Sequence, residues 1–231
     1  GKTAIILGGT SGIGLATANR LSGLGTKVVA VSRQPDKAKG DVANGVELRA
    51  CSVLDRAGLV ALFKEWSTFD ILVCAATGGS RAAGPFLEMD LDAYQASFAK
   101  LWGYTNAVRL GVEYMTREGT IVLVSGAPAR KTKPGQIALS SVGGAVEAFC
   151  RGVAAELAPR RINSVSPGII DTPMFGPESS ERSNKLNSAT ADHMIPRAGT
   201  ADEVANGIVF AIQNDFVTGT TVDVDGGWLL S

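Results

Sequence analysis

The sequence predicts one α/β domain, doubly wound around a parallel sheet of seven strands. Short apolar runs alternate along the whole chain with longer stretches of helical periodicity, the pattern of repeated strand–helix–strand units. The first run, Ala4 to Leu7, is cut off by glycines at 8, 9, 12 and 14, and a helix follows at once. With 231 residues, 45% of them hydrophobic and 19% charged, the chain can bury one large core. No internal repeat or low-complexity tract interrupts it.

In the first helix Ile13, Ala16, Leu21 and Leu24 recur near helical spacing, and Gly25 is placed to end it in a left-handed cap. Lys27 to Val31 reads as a second strand, closing on Ser32-Arg33. Val46 to Ala50 is a third strand, and Asp55 to Trp66 a helix with Leu59, Leu62, Phe63 and Trp66 turned inward. A fourth strand begins at Asp70 and runs into the small residues Ala75, Ala76 and Thr77. Gly78 to Asp90 is then a loop, and Leu91 to Met115 one long helix with Phe98, Leu101, Val108 and Val112 as its buried stripe. Thr120 to Val124 is the fifth strand; a basic loop with Arg130, Lys131 and Lys133 leads to a helix over Gly135 to Leu157, rich in alanine and glycine. Arg161 to Val165 is the sixth strand. Pro173 to Gly199 is long for a loop in a compact domain and reads as a lid. Thr200 to Glu203 is a capping box that opens the last helix, and Thr221 to Val224 is the seventh strand.

Free N–H groups at a helix start attract anions, and glycine lets the backbone approach a pyrophosphate with no side chain between them. The first turn therefore reads as a dinucleotide site, against the alternative of a tight turn with no ligand. The spacing of Gly8, Gly9, Gly12 and Gly14 resembles the TGxxxGxG loop of the short-chain dehydrogenase/reductases, with Gly8 where that family usually has threonine. The resemblance extends over nearly the whole chain and implies a Rossmann-type fold. It implies cofactor contacts from Gly8, Thr10, Ser11, Gly12, Ile13 and Gly14. Ser52, where the family often has aspartate, and Val53 fall near the adenine. Ala75 and Ala76 fall in a segment, Cys74-Ala-Ala-Thr77, that aligns with the family's NNAG. Pro167, Gly168, Ile170 and Thr172 lie in a segment like PGxxxT, which in the family faces the nicotinamide end. Ser32 stands where an acidic side chain would hold the ribose hydroxyls, and Arg33 follows it. An arginine there can clamp a 2′-phosphate, so NADP(H) is expected over NAD(H), unless Arg33 is only a solvated residue of a basic segment.

The family's usual chemistry rests on Asn, Ser, Tyr and Lys, the last two as YxxxK. The corresponding positions here are Lys100, Gly126, Leu139 and Gly143. No tyrosine rescues the motif: four residues beyond Tyr94, Tyr104 and Tyr114 stand Phe98, Val108 and Glu118. Leucine donates no proton, so ordinary ketone–alcohol turnover is expected to be very slow unless another group substitutes. Three substitutes are candidates. Lys100 and Tyr104, four apart, share a helix face, where the lysine would lower the pKa of a neighbouring hydroxyl or bind an anionic substrate directly, with a salt-bridging lysine and a packed tyrosine as the competing reading. His193 lies in the lid and titrates near neutral pH, although such a residue is commonly just exposed. Ser125 with Lys131 or Lys133 is suited to a carboxylate or phosphate, or belongs to a solvated loop. The implied function is an NADP(H)-binding oxidoreductase-like protein with a non-standard active site and an unknown small-molecule substrate. The alternatives are a catalytically silent sensor or partner subunit, and an isomerase or cyclase on the same fold.

Charge and composition narrow the partners. Twenty-two basic residues balance 22 acidic ones, so no global field draws the chain to nucleic acid or an anionic membrane. No basic, apolar leader and no run of 18 apolar residues is present, so a soluble, cytoplasmic protein is expected. Cys51, Cys74 and Cys150, widely spaced among apolar residues, are expected as buried free thiols. With one histidine and no CxxC, no metal site is expected. The resemblance implies a homodimer or homotetramer formed through the two long helices.

Overall fold

The computed structural model describes residues 1–77 and 79–231; Gly78, the first residue of the expected loop, lies outside the described residues. Seven strands form the main sheet in the order β3-β2-β1-β4-β5-β6-β9: β1 (Thr3–Leu7), β2 (Lys27–Ser32), β3 (Glu47–Ala50), β4 (Phe69–Cys74), β5 (Met115–Val124), β6 (Arg161–Pro167) and β9 (Thr221–Val224). Every pairing is parallel, with Ile5 opposite Val29 on one side and Leu72 on the other.

The sheet is buried on both faces, which is why its strands read as continuous apolar runs. Successive side chains of β1 alternate between two cores. Ile5 and Leu7 join Leu59, Phe63, Tyr104 and Val146, under α2 (Arg56–Glu65), α4 (Ala99–Gly111) and α5 (Ile137–Leu157). Ala4 and Ile6 join Leu21, Val204 and Ile208, under α1 (Gly12–Gly23) and α7 (Ala201–Gln213). The strand order reverses between β1 and β4, and a cleft opens at the carboxyl ends there, as expected of open α/β sheets.

Three expectations are corrected. The helix expected over Leu91 to Met115 is two helices, α3 (Leu91–Ser97) and α4, broken at Phe98, and it ends in a short 3-10 turn at Val112–Tyr114. Met115 already belongs to β5, pairing with Phe69. The buried face of α4 is only partly the apolar stripe: Val108 is buried and Leu101 and Val112 pack half-buried on the core, but Lys100, Gly103, Tyr104, Asn106, Ala107 and Gly111 are buried as well, while Trp102 is exposed. Small residues win that face because the backbone must come close; a Cβ on Gly103 would lie 2.5 Å from Val53. The segment expected as a lid is not a structureless loop. It holds a 3-10 turn at Pro173–Phe175 and α6 (Ser180–Thr190), and its ends are joined by a two-stranded pairing of β7 (Ile170–Asp171) with β8 (Gly199–Thr200). Arg182 of α6 donates from Nε to Asp171 at 2.8 Å and from Nη1 to the Gly176 carbonyl at 2.6 Å.

All three cysteines are free, but Cys51 is only half-buried and lines the cleft. One 21-residue helix, α5, is long and apolar enough to cross a membrane by length and composition alone; here it packs on β6. The capping box is present in full, Glu203 N–H donating to Thr200 Oγ1 at 3.2 Å and Thr200 N–H to the Glu203 carboxylate at 2.8 Å.

Candidate functional site

The cleft, about 840 Å³ in volume, runs from the end of β2 across the glycine loop to the space beneath Pro173–Phe175. Its first half is made largely by backbone. Gly8 adopts φ +81°, and a Cβ there would meet the Ala76 nitrogen at 2.5 Å, so the loop passes against the end of β4 with no room for a side chain. Gly14 is tighter still: a Cβ would lie 2.0 Å from the Gly8 carbonyl oxygen, which is how the first turn of α1 closes over the end of β1. Thr10, Ser11, Gly12 and Ile13 complete the floor, and Gly12 approaches Thr172 from across the cleft.

Ser32 and Arg33 lie at one rim. The Ser32 hydroxyl is buried without a hydrogen-bond partner, and Arg33 is exposed with no ion pair among the described residues. Ser52 and Val53 wall the same end, the Ser52 hydroxyl accepting from Leu54 N–H at 3.3 Å. An orphaned hydroxyl, a free guanidinium and a glycine cradle at a helix start fit a phosphorylated dinucleotide. All sixteen residues expected to hold one line this cleft, and Thr172 lies against Gly12 of the glycine loop.

The far half is made by side chains. Lys100, Ser125, Gly126, Leu139 and Gly143 all line it, together with Arg81, Gln136, Met174 and Trp228. Lys100 is only 8% exposed; its Nζ donates to the Ser125 carbonyl at 3.4 Å and lies 5.6 Å from the Tyr104 ring centre. No carboxylate pairs with it among the described residues. Burial first, and then the nearby Arg81 charge, push the ammonium down to about 7.

Not every expected residue reaches the cleft. Tyr104 is fully buried beneath Lys100, donates its hydroxyl to the Val124 carbonyl at 3.2 Å, and is held protonated by burial well above the ordinary tyrosine range. His193 is buried, not exposed, and stacks on Trp228 with ring centres 5.5 Å apart; burial and the Lys133 charge lower its pKa. Lys131 donates to the Trp228 carbonyl at 3.1 Å and Lys133 lies over the Trp228 ring, so neither lysine meets Ser125.

Ser125 instead donates to Glu147 at 3.0 Å. Glu147 is 3% exposed and sits 3.3 Å from Arg130 Nε, while Arg130 also donates to Asp223 at 3.0 Å. This chain from β5 through α5 to β9 was missed in the sequence. Its one signal there is a glutamate in an otherwise apolar stretch of helix. Arg81 was missed too, because a lone arginine in a polar loop has no local pattern.

The family model described as enoyl-(acyl carrier protein) reductase matches residues 8–229. The short-chain dehydrogenase/reductase ATR9 of Stachybotrys chlorohalonatus is 29% identical across 100% of this chain and 98% of its own length. The 3-oxoacyl-[acyl-carrier-protein] reductase FabG of Aquifex aeolicus is 29% identical across 98% of this chain and 97% of its own. A small-chain dehydrogenase solved in complex with NADPH superposes with a TM-score of 0.84 at 28% identity, covering 100% of this chain and 99% of the other. Together with the parallel sheet and the glycine cradle, these matches establish that the chain belongs to the short-chain dehydrogenase/reductase superfamily of oxidoreductases, in the family described as enoyl-(acyl carrier protein) reductase.

Proposed function

We propose that the protein is an NADP(H)-dependent reductase whose proton comes from Lys100 and not from a tyrosine. The observation that carries the reading is the content of the far half of the cleft. The positions that would hold the serine, tyrosine and lysine are Gly126, Leu139 and Gly143, and among the described residues there Lys100 is the side chain that burial and Arg81 push down to about 7.

Ser32 and Arg33 would hold the ribose and its 2′-phosphate, and the N–H groups of the Gly12 turn the pyrophosphate. When bound, the cofactor supplies a hydride. Lys100 Nζ, positioned by the Ser125 carbonyl, gives its proton to the oxygen that gains charge, and the neutral amine recovers a proton from solvent. An acid near pH 7 is matched to that task, and help of this kind is worth roughly a hundred- to ten-thousand-fold in rate. The similar NADPH-bound dehydrogenase supports the choice of cofactor.

Titration with NADPH and NADH tests the reading. NADPH is expected to bind at least tenfold tighter, a difference of about 1.4 kcal/mol, and Arg33→Ala to erase that preference while leaving NADH unchanged. Equal binding of both cofactors by the wild type sinks the Arg33 assignment. A second reading, an NADP(H)-binding sensor without turnover, is favoured by Leu139 and Gly143; tight NADPH binding with no Lys100-dependent turnover would select it.

A further inference from the structure

The far half of the cleft carries a charge imbalance that a neutral ketone does not need. Arg81 and Lys100 both line it, and among the described residues no aspartate or glutamate does. Lys100 is more than nine-tenths buried with one carbonyl as its hydrogen-bond partner. The Arg81 guanidinium, half-buried, meets a single acceptor among the described residues, the thioether sulfur of Met174, which is a weak one. Two basic side chains without a carboxylate partner among the described residues line a space walled otherwise by Leu139, Val142, Phe175 and Trp228.

We propose that this space is a carboxylate subsite: the substrate is a carbonyl compound with an apolar body and a carboxylate that the Arg81 fork grips, with Lys100 beside it facing the reacting oxygen. The planar guanidinium offers paired N–H groups that match two carboxylate oxygens. A carboxylate there also offsets the repulsion between the two cations, so binding itself keeps Lys100 protonated for the transfer. This rests on the reductase reading above for the role of Lys100, but the anion site stands on Arg81 and the missing counter-charge.

Hexanoate and hexanamide, matched in shape and differing in charge, serve as probes by calorimetry on the free protein and on the protein saturated with NADPH. Hexanoate is expected to bind at least tenfold tighter than hexanamide. Arg81→Gln should weaken hexanoate at least tenfold, leave hexanamide and NADPH within twofold, and Arg81→Lys should restore part of the loss. Equal binding of the two probes overturns the proposal, as does an Arg81→Gln variant that keeps full hexanoate affinity. If Arg81→Gln weakens NADPH instead, the guanidinium serves a cofactor phosphate and the carboxylate subsite is excluded. Absence of NADPH binding with hexanoate preference intact would remove the reductase reading and leave the anion site standing.

Discussion

The two ends of the cleft are built in different ways. The end at the glycine loop is a cradle of backbone, where a Cβ on Gly8, Gly9 or Gly14 would strike main chain at 2.0 to 2.8 Å. The far end is an assembly of side chains from β5, α4, α5 and the loop after β4, tied by single contacts such as Lys100 to Ser125 and Arg81 to Met174. A backbone cradle tolerates change in most side chains around it and fails when a glycine is lost. A side-chain assembly changes its chemistry by one substitution at a time while the fold stays in place.

The sharpest way to break the comparison is Lys100→Met. Turnover is expected to fall by ~100-fold or more, with NADPH affinity unchanged, because only the far end is touched. The same variant has a stability signature. Since Lys100 titrates near 7 in the fold, its burial cost is full below that pH and fades as pH rises towards the ordinary lysine value, so wild-type stability should gain on that limb and the variant should not. Equal pH profiles in denaturant titrations would contradict the burial of a chargeable amine there.

Gly14→Val attacks the other end. The clash with the Gly8 carbonyl should cost about 1–3 kcal/mol, seen as a fall in Tm of ~2–4 °C per kcal/mol, and NADPH affinity should drop with it. A variant with unchanged Tm and cofactor binding would show that the turn has slack. Glu147→Gln comes next: it keeps the shape but removes the charge between Ser125 and Arg130. About 1 kcal/mol of stability should go, since Arg130 retains Asp223, and NADPH binding should stay as it was.

The smallest expected effect lies away from both ends, at the capping box. Thr200→Ala should cost about 1 kcal/mol or less. The Arg197 guanidinium, with the Thr200 N–H, holds the Glu203 carboxyl down to about 2. Its folded value is depressed, so the stabilisation is present above the ordinary glutamate range and is lost as pH falls towards 2. The pair is well exposed, so the contribution is small, and Glu203→Gln should move the acid-unfolding midpoint only slightly.

The sequence by itself determined the seven parallel strands, the glycine turn with its helix and the capping box. Each of these is written by contacts within a few residues: a period of two or 3.6, a glycine where no Cβ fits, a threonine three residues before a glutamate. Of the far end it offered Lys100 and Ser125 as candidates but not Arg81. Which side chains would face the cleft, and with what charge, was decided only by tertiary structure. As α4 settles on the sheet, Lys100 is buried and Trp102 is left outside. His193 goes beneath Trp228, and Lys131 and Lys133 turn away from Ser125. Ser125 meets Glu147 22 residues further on, and Arg81 meets Met174 across 93. Pairings of that separation depend on how helices settle against a sheet, and no local periodicity records them.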